Sequence, residues 1–489
     1  MREQLFHLSS SSGASLQSQL REMMVRAILG GHILPGSAVP SCRQLAKQLG
    51  VARNTVVLAY QHLVDEGYLV ARERSGYYVN EDILVGRVST EPGEPHSGDM
   101  FGPDWGARLR TTPSRWRQIV KPKDWLKYPY PFIYGQCDLA LFPVADWREC
   151  SRRALSVGAI RGWARDSVDS DDPQLLEQIH TRLLPRRGVW ASPEEILITV
   201  GAQHALYLLA NLFFGEDTVV GIEDPGYVDA RSIFAMTSAR LMGLPVDASG
   251  LILDDKLNDC DYVYVTPSHQ SPTTVTMPLA RRHELLTRSV DSDFVIIEDD
   301  YESEFNYVGQ PTPALKSLDH SGRVVYVGSL SKTLAPGLRL GYMVGPKELI
   351  TEARALRRLM LRHPPANNER AVAMFLSLGH HDSLVRRLSH AYKERWQVMG
   401  DALARYLPES THMPAFGGTS CWVRGPEALD ARALVERAAA RGILIEPGDV
   451  FFYTEHAPRN YFRLGFSSIP VDRIEPGIKT LAEIVHDLA

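Results

Sequence analysis

Apolar residues near the start of the chain recur with helical spacing. Leu16, Leu20, Met23, Met24, Ala27 and Ile28 fall on one face of a helix over residues 15–29, which Gly30-Gly31 stops. Pro40-Ser41 opens a second predicted helix, Cys42 to Leu49, with Ser41 as its N-cap candidate and Gly50 as its end. A third helix is predicted over about 53–66 and closed by Gly67. Two strand-like runs follow, Tyr68 to Arg72 and Tyr77 to Val79, on either side of Arg74-Ser75-Gly76. The expectation is three helices and then a hairpin.

The pattern changes at residue 80. Up to about 127, Gly, Pro, Ser and charged residues dominate, with Trp105, Trp116 and Trp125 interspersed. This stretch is expected to be a linker that docks in places. From about 128 short apolar runs alternate with helical stretches. Strands are predicted at 196–200, 218–222, 262–266, 294–298, 324–328 and 340–344. Such alternation implies an α/β domain with a largely parallel sheet. The chain after 380 is helix-rich, with strand-like runs near 420–424, 442–446 and 461–466, which suits a small C-terminal α+β subdomain. The expected division is therefore 1–79, a linker over 80–127, and a second domain over 128–489.

Composition narrows the class without deciding it. With 489 residues, 44% hydrophobic and 23% charged, the chain reads as an ordinary multidomain globular protein. The formal net charge of −5 argues against a polyanion binder as a whole. The first 79 residues differ, with eight Arg or Lys against five acids, a modest excess compatible with a nucleic-acid partner. Five scattered cysteines without CxxC spacing argue against a disulfide framework or a structural zinc site, and suit a reducing cytoplasm. No signal peptide and no apolar run of membrane-spanning length is visible.

The first domain carries a pattern suited to reading DNA. A recognition helix sets its N-terminal side chains against base edges in the major groove. Arg53, Asn54 and Thr55 stand at that end of the third helix; Arg can bond guanine bidentately and Asn can bond adenine. Ser41 and Arg43 open the preceding helix, where backbone N–H groups and the guanidinium can grip phosphate. Gly76 would let the hairpin approach the minor groove. Any one of these helices alone reads as an ordinary polar surface; their order does not. The stretches Pro40-Ser41-Cys42-Arg43-Gln44-Leu45-Ala46, Val51-Ala52-Arg53-Asn54-Thr55-Val56 and Glu66-Gly67-Tyr68-Leu69 resemble the winged helix-turn-helix of GntR-type repressors. The departure is Asn54, where that family often has Thr.

The second domain carries a pattern suited to a pyridoxal cofactor. Phe294 to Ile297 is an apolar strand that ends in Glu298-Asp299-Asp300-Tyr301. Ligands of open α/β sheets bind beyond the carboxyl ends of strands, and a carboxylate there can keep a pyridine nitrogen protonated. Val324 to Gly328 ends in Ser329-Leu330-Ser331-Lys332, hydroxyls for a phosphate and an amine for a Schiff base, and Arg339 adds a cationic fork. Leu197 to Val200 runs into Gly201-Ala202-Gln203, a helix start fit for phosphate. Tyr227, in Asp224-Pro225-Gly226-Tyr227, offers an aromatic face. Singly these are a surface lysine and solvated turns. Their joint order resembles the fold-type I aminotransferases.

That resemblance implies roles residue by residue. Asp299 would pair with the ring nitrogen and Tyr301 with the ring hydroxyl. Tyr227 would stack on the ring. Gly201, Ala202, Gln203, Ser329, Ser331 and Arg339 would surround the phosphate, and Lys332 would carry pyridoxal 5'-phosphate as a Schiff base. Arg463, in Tyr461-Phe462-Arg463-Leu464-Gly465, would take a ligand carboxylate. There are departures. Ser271 stands where aminotransferases commonly have an asparagine, and Asp166 to Pro173 replaces a segment that usually lines the neighbouring subunit's site.

The two resemblances together describe the MocR/GabR-like transcription regulators. They imply a cytoplasmic homodimer that binds double-stranded operator DNA and senses a small amine or amino acid by exchange of the aldimine partner at Lys332. The alternative is an active aminotransferase with an accessory DNA-binding arm. Neither a metal nor a membrane is expected.

Overall fold

The computed structural model describes residues 14–84, 103–237, 239–309, 311–412, 416–454 and 456–488. The chain divides into two compact units, Met1–Arg108 and Leu109–Ala489.

In the first unit, α1 (Leu16–Leu29), α2 (Cys42–Leu49) and α3 (Arg53–Asp65) are followed by β1 (Leu69–Arg72) and β2 (Gly76–Val79). Each boundary has a local cause. The Ser41 hydroxyl accepts from the Gln44 amide at 3.3 Å and caps α2. Gly50 ends α2 in the left-handed conformation, φ +67°. Leu20, Met24, Val56 and Leu63 are fully buried in one cluster between the helices, each worth about 1.5–3 kcal/mol by its burial. The Tyr60 hydroxyl donates to the Pro40 carbonyl at 2.9 Å and ties α3 to the turn before α2. The hairpin is antiparallel, with Leu69 opposite Val79 and Arg72 opposite Gly76.

In the second unit the strands are β3 (Ile196–Thr199), β4 (Val219–Asp224), β5 (Arg240–Asp247), β6 (Gly250–Leu251), β7 (Tyr262–Val265), β8 (Val295–Asp300), β9 (Val324–Ser329) and β10 (Gly341–Val344). They form one sheet in the order β3-β10-β9-β8-β7-β4-β5-β6. The five central strands from β9 to β5 run parallel, and β10 is antiparallel to both its neighbours. Alternate residues feed opposite faces: Ile196 and Ile198 join one core cluster and Leu197 the other. Burial on both faces explains why these strands read as continuous apolar runs.

All six predicted strands of this domain are present. β5 is not predicted, because Gly243 and Pro245 interrupt its pattern. Gly243 has a packing reason: a side chain there would stand 3.2 Å from both Asp224 and Tyr453.

Helices α4 (Ala202–Phe213), α5 (Val228–Ala235), α6 (Leu279–Asp291) and α7 (Lys347–Leu361) are interspersed among the strands of this sheet. The C-terminal part carries α8 (His380–Tyr406), α9 (Ala431–Ala440) and α10 (Val471–Leu488). Four strands of this part, β11 (Thr411–His412), β12 (Ser420–Arg424), β13 (Glu446–Pro447) and β14 (Tyr461–Gly465), form a sheet in the order β11-β12-β14-β13, while Ile443–Leu444 pairs in parallel with Tyr130–Pro131. Register places Arg463 of β14 between Trp422 and Glu446. Part of the stretch expected to be a linker belongs to this unit. Arg117 anchors it by donating to the carbonyls of Tyr453 and Thr454 at 3.3 and 3.4 Å. Among the described residues no helix is long and apolar enough to cross a membrane.

Candidate functional site

The carboxyl ends of the parallel strands open into a cavity of about 460 Å³. Ala202, Gln203, Tyr227, Asp299, Tyr301, Ser329, Ser331, Lys332, Arg339 and Arg463 all line it. Residues singled out in separate stretches of sequence thus share one space.

Asp299 is the last residue but one of β8 and is 2% exposed. Its Oδ2 accepts from the Tyr264 hydroxyl at 2.8 Å. Its Oδ1 is buried without a hydrogen-bond partner among the described residues. Burial pushes this carboxyl up to about 7, against the pull of the Tyr264 hydroxyl. A buried acceptor of this kind calls for a cationic or N–H donor from a ligand. Ser331 Oγ is likewise buried and unpartnered among the described residues, while Ser329 Oγ accepts from the Ser331 amide at 3.2 Å.

The helix start lies opposite. Gly201 has φ +79°, and a side chain there would stand 2.8 Å from Arg339 Nη2. Only glycine lets the guanidinium approach the first turn of α4. Arg339, itself at φ +47°, donates to Gln203 Oε1 at 3.3 Å. Gln203 Nε2 in turn donates to Asp229 at 2.6 Å and to the Tyr227 hydroxyl at 3.2 Å. A cation, free N–H groups of the helix start and two serines suit a phosphate. The unpartnered carboxylate suits a pyridine nitrogen, and a primary amine stands in the same cavity. This donor set fits pyridoxal phosphate.

Lys332 is half-buried and packs over Tyr134, with Nζ 4.1 Å from the ring centroid. Burial pushes its ammonium down to about 8; Glu302 opposes this, and Lys121 and Arg463 add to it. Arg463 is held by Glu446, with Nε and Nη2 2.7 and 2.6 Å from Oε2. Its Cζ lies 4.2 Å from the centroid of Tyr134 and 4.6 Å from that of Phe451. Two expectations take a particular form. The Tyr301 hydroxyl donates to the His269 carbonyl at 2.7 Å. Ser271 lines the cavity, and its amide donates to the Thr266 hydroxyl at 2.9 Å.

The 166–173 stretch serves its own unit. Asp171 pairs with Arg357 at 2.5 Å and Arg354 at 2.6 Å, and Asp172 caps the helix that starts at Pro173 while pairing with Arg370 at 2.6 Å.

Sequence reasoning missed Tyr134, Lys121, Gln118, Ile119, Asp229 and Phe451, all on the cavity wall. It also missed Glu446, although a carboxylate closing the apolar run Ile443-Leu444-Ile445 is the same signal that marked Asp299.

In the first unit, Ser41, Arg43, Arg53 and Asn54 are exposed and Thr55 is half-buried. Ala52 precedes α3 without a capping side chain, and in the first turn the Thr55 amide donates to the Ala52 carbonyl at 3.0 Å. Gly76 has φ +106° at the hairpin turn. Arg72 packs over the Tyr78 ring at 4.4 Å and pairs with Glu81 at 3.0 Å.

A helical DNA-binding unit and an aminotransferase-like fold in one chain define a transcription regulator built on an enzyme scaffold. Residues 16–79 match the bacterial regulatory proteins of the gntR family, and residues 135–481 match aminotransferase class I and II. The chain is 43% identical over 481 residues to the HTH-type transcriptional regulator TauR of Rhodobacter capsulatus, covering 98% of this chain and 99% of that one. It is 30% identical over 482 residues to the probable rhizopine catabolism regulatory protein MocR of Rhizobium meliloti, covering 97% and 94%. Its fold is similar to LysN, the alpha-aminoadipate aminotransferase of Thermus thermophilus, solved in complex with N-(5'-phosphopyridoxyl)-L-leucine. That likeness has a TM-score of 0.69 and 28% identity, over 78% of this chain and 96% of the enzyme. The chain belongs to the MocR-like family of HTH-type transcriptional regulators.

Proposed function

We propose that this regulator holds pyridoxal phosphate on Lys332 and responds to a small amine or amino acid that takes the place of that lysine. The observation that carries this is the pairing, in one buried cavity, of the Lys332 amine with the unpartnered Oδ1 of Asp299. When bound, the cofactor supplies an aldehyde that condenses with primary amines and a ring whose absorbance reports the exchange. Asp299 would bind the ring nitrogen, Ser331, Arg339 and the α4 start would hold the phosphate, and Tyr227 would orient the ring. Arg463 receives an effector's acid group. Lys332, once displaced, would be free to change its contacts, and an effector that binds one arrangement of the protein better than another would shift DNA affinity by that difference.

A two-fold dimer would present two α3 helices to paired half-sites in double-stranded operator DNA. Spectral titration of the loaded protein with primary amines, followed by gel shifts at the same concentrations, tests the whole scheme. Steady turnover with an amino donor and a keto acid at ordinary enzymatic rates would replace sensing by catalysis.

Two predictions arise here. Asp299→Asn removes the anion opposite the ring nitrogen. Cofactor affinity is expected to fall about 10- to 100-fold, the scale of one hydrogen bond to a charged group. Fluorescence titration of cofactor-free protein measures it, and unchanged affinity would remove Asp299 from the site.

The second concerns pH. Only the neutral Lys332 amine attacks an aldehyde, and burial lowers its pKa to about 8. Because the shift is downward, the reactive fraction grows as pH rises towards 8 and is nearly complete well above it. Cofactor loading is therefore expected to accelerate through about pH 8 and then level off. An ordinary lysine would keep gaining towards pH ~10.4. Stopped-flow absorbance distinguishes the two profiles.

A further inference from the structure

One wall of the cavity is built from a segment that the fold barely holds. Gln118, Ile119 and Lys121 line the cavity. They lie between single helical turns at Pro113–Arg115 and Trp125–Lys127, in no strand or helix. Among the described residues, the amides and carbonyls of residues 117–121 make no hydrogen bond to other backbone groups. A segment without backbone pairing and with little apolar burial belongs to the low end of local stability.

Alternate side chains pin it instead. Arg117 donates to the carbonyls of Tyr453 and Thr454 at 3.3 and 3.4 Å. Ile119 packs against Val228, Trp422, Val450 and Phe451. Lys121 Nζ donates to the Tyr134 carbonyl and lies 3.4 Å from Glu446 Oε1. Val120, between the last two pins, is 86% exposed.

The seat under these pins is firm by comparison. Arg231 donates to the carbonyls of Phe452 and Val450 at 2.7 and 2.9 Å. The Gly226 amide donates to the Phe451 carbonyl at 3.0 Å, one residue before Tyr227. Ile119 and Lys121 are on the cavity wall, whereas Arg117 lies outside it. A ligand that touches Ile119 or Lys121 therefore favours the seated form by the free energy of that contact. The segment also begins shortly after the first unit ends at Arg108. Its release lengthens the free chain between the two units, and the reach of a linker follows its free length.

We propose that residues 117–121 form a strap that seats when the cavity is filled and lifts when it is emptied, so that occupancy changes the free length of chain leading to the DNA-binding unit. This rests on the cofactor reading above and adds the element that carries occupancy out of the site.

The test uses the full chain, cofactor-free and loaded with pyridoxal phosphate. Thermolysin cuts before Ile119 or Val120 only when the strap leaves its seat, and fragment masses identify the cut; cuts elsewhere serve as the reference. The strap cut is expected to be about tenfold slower in the loaded protein, since cleavage follows the population of the open form. Loaded and cofactor-free protein are also expected to differ severalfold in operator affinity by gel shift. Arg117→Ala removes the pin outside the cavity. It should keep the visible band, speed the strap cut of the loaded protein about tenfold, the scale of its two hydrogen bonds, and narrow the affinity difference. Arg117→Gln, which keeps a shorter donor, replaces it should Arg117→Ala be cut faster throughout the chain.

The proposal is overturned if the wild-type strap is cut equally fast with and without cofactor, or if loaded and cofactor-free wild type bind the operator alike. It is equally overturned if loosening the strap at Arg117 leaves the affinity difference as it was, which marks a cover and not a relay. Absence of any visible band in the loaded wild type fails the cofactor reading instead, and is seen before protease or DNA is added.

Discussion

Lys332→Ala is expected to eliminate covalently held pyridoxal phosphate completely, and with it the response to every amine. Borohydride treatment followed by mass measurement reads this directly: the wild type gains one reduced cofactor and the variant gains none. The effect is all-or-none because the link needs a neutral amine at one place in the cavity. Lys121 is the other lysine on that wall, but it is engaged by the Tyr134 carbonyl and stands beside Glu446. A variant that still captures cofactor covalently would move the attachment point to Lys121. DNA binding should survive the change, because residues 16–79 close a core of their own around Leu20, Met24, Val56 and Leu63. Wild-type protein whose DNA affinity responds to an amine, beside a variant whose affinity does not, separates sensing from folding.

The parts of this site that could be read in sequence are those attached to regular elements. Asp299 and Lys332 each follow an apolar strand, and sheet geometry brings the ends of parallel strands to one edge. Ser41 and Gly50 marked the ends of α2 because capping and left-handed turns favour few residue types. Lys121 and Tyr134 lacked such a frame. They reach the cavity from an irregular stretch, and only tertiary approach gives them meaning. β5 escaped because Gly243 and Pro245 broke its period, although Asp224 and Tyr453 pack closely on the glycine. Glu446 was within reach, since a carboxylate at the end of an apolar run is rarely idle. A surface for self-association leaves no mark in the spacing, because an interface is a property of surfaces and not of periods.

Arg53→Ala is expected to weaken binding to operator DNA about 10- to 100-fold per half-site, the scale of one bidentate arginine–guanine pair. Position argues for this residue: Arg53 opens α3, is exposed, and follows an uncapped Ala52. In a two-fold complex both half-sites are affected, so the effect compounds. The nature of the interaction decides what else changes. If Arg53 reads a base, operator affinity falls while affinity for unrelated DNA stays nearly constant, and the salt slope holds. If it neutralises a phosphate, both affinities fall together and the slope flattens by about one unit for each phosphate left unneutralised. Gel shifts on operator and unrelated duplexes at two salt concentrations tell these apart, with cofactor loading unchanged in either case. Unaltered operator affinity would take the first turn of α3 out of the interface and leave Arg43 and the hairpin to carry recognition.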